Sequence, residues 1–142
     1  MKILKNARQY LEIKALAMTS VSKSIFVFGL YSLVMGLVLL FIPNLILPIV
    51  GLPVSNEPWL HLLGFVLMCS SYYYLRTALK NNDDFARYTT HTRFAAPVVV
   101  AFMIITGKAD WHFLSFGIVD GLGGLWTWIE LKQNSARSNN SK

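Results

Sequence analysis

SFGIVDGLGGLWTW, residues 115 to 128, sets one carboxylate, Asp120, in the middle of a hydrophobic run long enough to cross a bilayer. Four glycines surround it: Gly117, Gly121, Gly123 and Gly124. A carboxylate at that depth costs about 2.5–3.5 kcal/mol on insertion scales. It therefore needs a partner, a proton or a water-filled cavity. That requirement, met inside an apolar helix, points to a small membrane-spanning helical bundle in which the aspartate faces protein.

The composition agrees. Hydrophobic residues make up 54% of the 142-residue chain and charged residues 14%, against roughly 25% charged in a soluble domain. The charges are segregated, leaving long windows with almost none, and the mean hydropathy is +0.47. A net charge of +6 would suggest nucleic acid in a soluble protein. Here the basic residues flank apolar spans, so they read as topology signals and as contacts for anionic lipid headgroups, with no nucleic acid partner. The single cysteine, Cys69, has no internal disulfide partner and reads as a small buried hydrophobe.

Taken in order, the chain predicts an all-α, integral membrane four-helix transmembrane bundle. Residues 1–22 form an amphipathic interfacial helix, with Leu4, Ala7, Leu11 and Met18 near one face and Lys2, Lys5, Arg8, Gln9 and Glu12 around the rest. No small-x-small cleavage site closes the first apolar run, which argues against a signal peptide. The transmembrane domain covers residues 24–132, with spans at about 24–42, 57–79, 84–106 and 110–131. The third span needs Asp83 or Asp84 as N-cap to be long enough, because the apolar part from Phe94 to Thr106 falls short of a hydrocarbon core of about 30 Å. The link PNLILPIVGLPVSN, residues 43–56, is apolar and interrupted by proline; it rests in the outer interface or caps the bundle. Residues 133–142, rich in Ser and Asn, form a disordered cytoplasmic tail. Lys2, Lys5, Arg8, Lys14, Lys23, Arg76, Lys80, Arg87, Arg93, Lys132, Arg137 and Lys142 fall on one side and only Lys108 on the other. Both termini are then cytoplasmic. Trp59 and Trp111 mark the outer boundary; Trp126, Trp128 and Tyr88 mark the inner one.

Contacts between helices in lipid rely on small and polar residues. Gly117, Asp120, Gly121 and Gly124 share one side of the fourth helix, and Gly29, Ser32 and Gly36 share one side of the first. The second offers His61, Gly64, Met68 and Tyr72. The third turns Ala86, Thr89, Thr90, Arg93, Ala96, Pro97 and Val100 to one side. At about 1.5 Å per residue, Arg93 and Asp120 lie about 13 and 16 Å from the inner boundary. The spacing predicts a buried Arg93–Asp120 ion pair with Tyr72 as a hydrogen-bonding neighbour. Such a pair serves either as a polar staple that fixes helix register or as a proton relay or polar end of a ligand pocket. The staple ranks first, since a matched pair leaves little free charge.

Other motifs carry less. His61 and His112 start outer helix ends near Glu57 and Asp110 and are the only weak metal candidates; without HxxxH or HExxH spacing, no metal site is predicted. His91 reads as an interface residue. No nucleophile motif accompanies the serines and histidines, and the glycines of the fourth helix lack the strand that a phosphate loop needs. No cofactor is predicted, although a quinone would stack on the run Tyr72-Tyr73-Tyr74, which otherwise forms a headgroup belt.

Four segments together carry a resemblance: GLYSLVMGLVLLFIPNLILPIVGLP from residue 29, EPWLHLLGFVLMCSSYYYLR from 57, RYTTHTRFAAPVVVAF from 87 and FGIVDGLGGLWTWIEL from 116. In this pattern of glycines, prolines and spacing, from about residue 29 to 131, the chain resembles the small, largely uncharacterised bacterial four-span membrane proteins grouped as DoxX-like. The resemblance implies a four-helix bundle in a bacterial inner membrane. Some members of that group are linked to quinone-dependent oxidation of sulfur compounds; no residue here stands out as the carrier of a redox cofactor. The expected role is a non-enzymatic binding or accessory bundle. The alternatives are a quinone- or lipid-binding membrane subunit of an oxidoreductase system and, last, a small proton-coupled transporter acting as a dimer. A membrane-protein partner or a homo-oligomer is compatible with each.

Overall fold

The computed structural model describes residues 18–139, so the amphipathic helix expected at residues 1–22 lies outside the described residues except for its last few, and residues 140–142 of the tail lie outside them as well. Among the described residues the chain is all-helical, with no strand. The helices are α1 (Ser20–Phe41), the single turn α2 (Pro43–Ile46), α3 (Pro58–Ala78), α4 (Asp83–Ile105) and α5 (Leu114–Asn139), with a 3-10 turn, Trp111–Phe113, before α5. Two of them, α1 with a mean hydropathy of 2.4 and α4 with 1.2, are long and apolar enough to cross a membrane.

Local chemistry sets the boundaries. Thr19 caps α1 by accepting from the Ser22 amide at 3.1 Å. Pro43, which has no amide hydrogen, ends α1 and opens α2 at its first turn. Pro58 likewise opens α3. The cap of α4 is Asn82, whose side chain accepts from the Phe85 amide at 3.1 Å, and not Asp83 or Asp84 as the sequence suggested. Those two acids occupy the first turn, where the helix dipole favours them. Gly107, at φ +70°, closes α4 with paired bonds from Lys108 N to Met103 O at 2.8 Å and from Gly107 N to Ile104 O at 3.0 Å. The tail also differs from expectation. Residues 133–139 continue the helix, and Asn134 Nδ2 donates to Asp83 Oδ2 at 2.9 Å, tying the end of α5 to the start of α4.

The helices form two antiparallel hairpins, α1 with α3 and α4 with α5, joined chiefly by α1 against α5. Small residues set the approach within each hairpin. A Cβ on Gly64 would come within 2.7 Å of Gly36 O and overlap the Leu40 amide, and one on Gly36 would meet Gly64 O at 2.9 Å. In the second hairpin a Cβ on Gly117 would sit 3.1 Å from Pro97 Cα, and one on Gly124 would sit 3.1 Å from Arg93 Cβ. The side of α5 expected to pack, Gly117 through Gly124, therefore does pack, on the small face of α4.

A packed cluster of Met18, Val21, Ile25, Ala78 and Ala86, backed by Phe85 and Leu131, fills the end of the bundle where α1 begins. We call this the basal end. At the distal end the 43–56 segment folds over the bundle and acts as a cap. Leu47 is buried, and Gly51, at φ +80°, lies so close to His112 that a Cβ would overlap the imidazole. Cys69, expected to be buried, is exposed on the outer face of α3.

The glycine crossing yields the first prediction. Gly64→Val should lower stability by about 1–3 kcal/mol through overpacking against the α1 backbone. Gly121→Ala, whose Cβ would meet only Pro97 Cγ at an ordinary 3.6 Å, should be tolerated. Thermal unfolding of both variants in one detergent checks the contrast.

Candidate functional site

Arg93 is the most deeply buried charge among the described residues, 3% exposed. It lies on the side of α4 that also buries Ala86, Thr89 and Thr90. Pro97, one turn on, breaks the helical hydrogen-bond ladder at the Arg93 carbonyl and gives α5 a flat surface to approach. The guanidinium is held from three helices. Its Nη1 donates to Gly123 O and to Thr127 Oγ1, both at 3.2 Å. Its carbon stacks 3.5 Å from the centroid of the Phe28 ring and 5.1 Å from that of Tyr74. Thr127, fully buried, donates to Gly123 O at 3.0 Å and lies 3.1 Å from Ser24 Oγ, so the arginine is linked through it to α1. Two further guanidinium nitrogens, Nε and Nη2, are buried without a hydrogen-bond partner.

Arg93, Phe28 and Tyr74 form the basal end of a cavity of about 600 Å³ that lies between the two hairpins. The cavity runs along α3 from Tyr74 to Trp59, about 22 Å at the helical rise, and reaches Leu47 and Leu52 of the distal cap. Its walls are mainly apolar: Met35, Leu39, Leu60, Leu63, Leu67 and Phe116. The polar exceptions are Tyr31, Ser32, Ser55, Ser70, Thr92, Arg93 and Asp120.

The predicted residues are thus brought to one place, though not as predicted. Arg93 and Asp120 border the same cavity, but no nitrogen of Arg93 comes within 4.0 Å of an Asp120 oxygen, and among the described residues no hydrogen bond reaches Asp120. The reason is the direction of the side chains. Each Cα–Cβ bond leans towards the N-terminus of its own helix, and α4 and α5 are antiparallel. Arg93 leans basally, towards Thr127, while Asp120 leans distally. Tyr72 is 60% exposed on the outer face of α3 and takes no part. Tyr74, two residues on, holds the position assigned to it. Sequence reasoning missed Thr127, although a signal was there: it continues the stripe of Gly117, Asp120 and Gly124 by one more turn of α5.

The histidines are engaged individually. His61 Nδ1 donates to Leu40 O at 2.7 Å, meeting a carbonyl left over where Pro43 ends α1. His112 Nδ1 contacts Asp110 Oδ1, and the His112 amide donates to the same oxygen at 3.0 Å. Those bonds hold the exposed Asp110 carboxyl below its ordinary range. Among the described residues no three His, Cys, Asp or Glu side chains group as a metal site. Compared with known proteins, the chain matches no family model, no curated protein and no solved structure.

Thr127→Val keeps the shape of the side chain and removes the oxygen that serves Arg93. It should cost about 1.5–3 kcal/mol, the range for a hydrogen bond to a charged group. The same substitution made on Arg93→Met should cost much less. A double-variant cycle by thermal or denaturant unfolding measures that coupling.

Proposed function

We propose that the chain is a four-span membrane bundle, with both ends cytoplasmic, that binds an amphiphilic small molecule between its two hairpins. The observation that carries this reading is the cavity of about 600 Å³ with a buried arginine at its basal end. A volume of this order is typical of small-molecule sites, which are mostly apolar with few, well-placed polar groups. Unpartnered donors of a charged group are costly in a low-dielectric interior. A ligand with acceptor oxygens at one end and an apolar body would set its oxygens at the arginine end of the cavity and fill the apolar walls with its body.

The membrane part of the proposal rests on what faces outward. All four long helices turn large apolar side chains away from the bundle, among them Val34 on α1, Phe65 on α3, Phe102 on α4 and Leu122 on α5. A surface of this kind on every side is a liability in water and fits lipid. The basic residues define the inner side as the basal end. The resemblance to DoxX-like proteins and their bacterial inner membrane setting points the same way. The bundle is then a binding protein without catalysis of its own, and a quinone is a fitting occupant, since the aromatic side chains of Phe28, Tyr31 and Tyr74 line the cavity beside the arginine. A second reading, a proton-coupled transporter, is favoured by one observation: Asp120 borders the cavity and has no hydrogen bond among the described residues.

Two outcomes are expected. Reporter fusions should place the loop at residue 81 on the cytoplasmic side and those at residues 55 and 108 opposite; any other pattern sinks the four-span topology. A short-chain benzoquinone titrated into the protein in nanodiscs should quench the fluorescence of Trp59 to saturation. Ser70→Phe, which fills the cavity without touching Arg93, should weaken that binding at least about tenfold, equivalent to about 1.4 kcal/mol. Unaltered binding in that variant would remove the cavity as the site. Uptake of a proton with each ligand, lost in Asp120→Asn, would favour the transporter.

A further inference from the structure

A second cleft, outside the cavity, lies at the basal end of the α4–α5 hairpin. It has a volume of about 310 Å³. Arg87 and His91 enter it from α4, four residues apart and so on one face; Trp128, Lys132 and Ser135 enter it from α5. Lys132 Nζ lies 3.9 Å over the Trp128 ring, which aims the ammonium along the cleft wall and keeps it desolvated on one side.

No carboxylate lines this cleft. Of the acids near it in sequence, Asp83 accepts from Asn134, Glu130 accepts from Trp126 Nε1 at 3.4 Å, and Asp84, exposed in the first turn of α4, does not line the cleft. Among the described residues neither Arg87 nor Lys132 has an ion-pair partner within 4.0 Å. Among the described residues, two permanent cations and an imidazole therefore line one cleft beside a tryptophan, with no carboxylate on its wall.

We propose that this cleft binds the phosphate of an anionic phospholipid. The inference rests on the membrane reading above, and the position of the cleft supports a lipid over a dissolved anion. It opens on the outer surface of two helices whose flanks are apolar, and its tryptophan belongs to the residue type that settles at headgroup level. A guanidinium and an ammonium together match phosphate oxygens. Their surplus positive charge repels the ammonium of a zwitterionic headgroup and so selects an anionic one.

The test is lipid retention. The full chain is reconstituted in nanodiscs of phosphatidylcholine with phosphatidylglycerol as the minor component, and the lipids that stay bound after transfer to detergent are identified by native mass spectrometry. Two cations acting on one phosphate correspond to an enrichment of phosphatidylglycerol on the order of thirtyfold over its bulk share. Arg87→Gln with Lys132→Gln, both exposed positions, should return retention to the bulk share while helix content by circular dichroism stays unchanged. Bulk proportions in the wild type, or undiminished retention in the double variant, would overturn the proposal. Protection of the wild type by millimolar inorganic phosphate, without enrichment of the lipid, would make the cleft a site for a soluble anion and overturn the lipid assignment. If the chain fails to enter nanodiscs at all, the membrane reading falls first and this inference with it; normal insertion without enrichment removes this inference alone.

Discussion

The burial of one guanidinium constrains much of this structure. Arg93 has to lose nearly all its water, and a lone cation in an apolar interior costs several kcal/mol unless donors and charge are compensated. The compensation here is assembled from three helices. Gly123 supplies a carbonyl acceptor, and its missing side chain leaves room for the Phe28 ring, a carbon of which would lie 3.2 Å from a Cβ there. Gly124 makes room for the arginine stem. Thr127 turns a hydroxyl acceptor to the guanidinium while donating back to its own helix, and Phe28 of α1 covers one face with the negative side of its ring. The glycine run that first drew attention to Asp120 is in large part a seat for the arginine of the neighbouring helix.

Much of this frame could be read from the sequence, for identifiable reasons. Helix positions followed from apolar length and from proline: Pro43, Pro58 and the Asn81-Asn82 turn stand at the boundaries. The small faces of α1, α4 and α5 were legible because glycine, serine and threonine recur at helical spacing and face protein. The face of α3 was misread. Taking His61 and Tyr72 as inward residues imposes steps of three, four and four, whereas the cavity is lined from α3 by Leu60, Leu63, Leu67, Ser70 and Tyr74, beside the buried Gly64, Ser71 and Ala78. That alternation of three and four keeps the cavity lining on one face over about four turns. Polarity misled because His61 faces a carbonyl of α1 at the distal edge, and any of three consecutive tyrosines could have been the inward one.

The direct pairing of Arg93 with Asp120 failed for a different reason. Depth along a helix axis was judged from Cα positions, which differ by only a few ångströms, but side chains leave the axis in the direction of their own N-terminus. In an antiparallel pair this separates two long side chains when the partner lies towards the C-terminal end of the first helix, and brings them together when it lies towards the N-terminal end. Asp120 is on the wrong side of Arg93 by this rule and Thr127 is on the right one. The start of the tail illustrates a related limit: Asn134 reads as part of a disordered segment because its partner, Asp83, lies 51 positions away in the chain and becomes adjacent only once the hairpin closes.

The cavity follows from where the small residues went. Gly36 and Gly64 draw α1 and α3 together, and Gly117 and Gly124 draw α4 and α5 together. Each hairpin thus uses its close-approach surface internally. What remains to face the other hairpin is bulky: Phe28, Tyr31, Leu63, Leu67 and Phe116. Side chains of that size hold backbones apart, and only at the basal end, where Ala78, Ala86, Ser24 and Thr127 meet, do the hairpins close on a packed core. A gap between them is the geometric remainder. Asp120 borders that gap because α5 turns it distally, away from the closed end. An aspartate at a gap and an arginine at its floor place the two intramembrane charges of the proposed bundle along one space, where a third molecule can come between them.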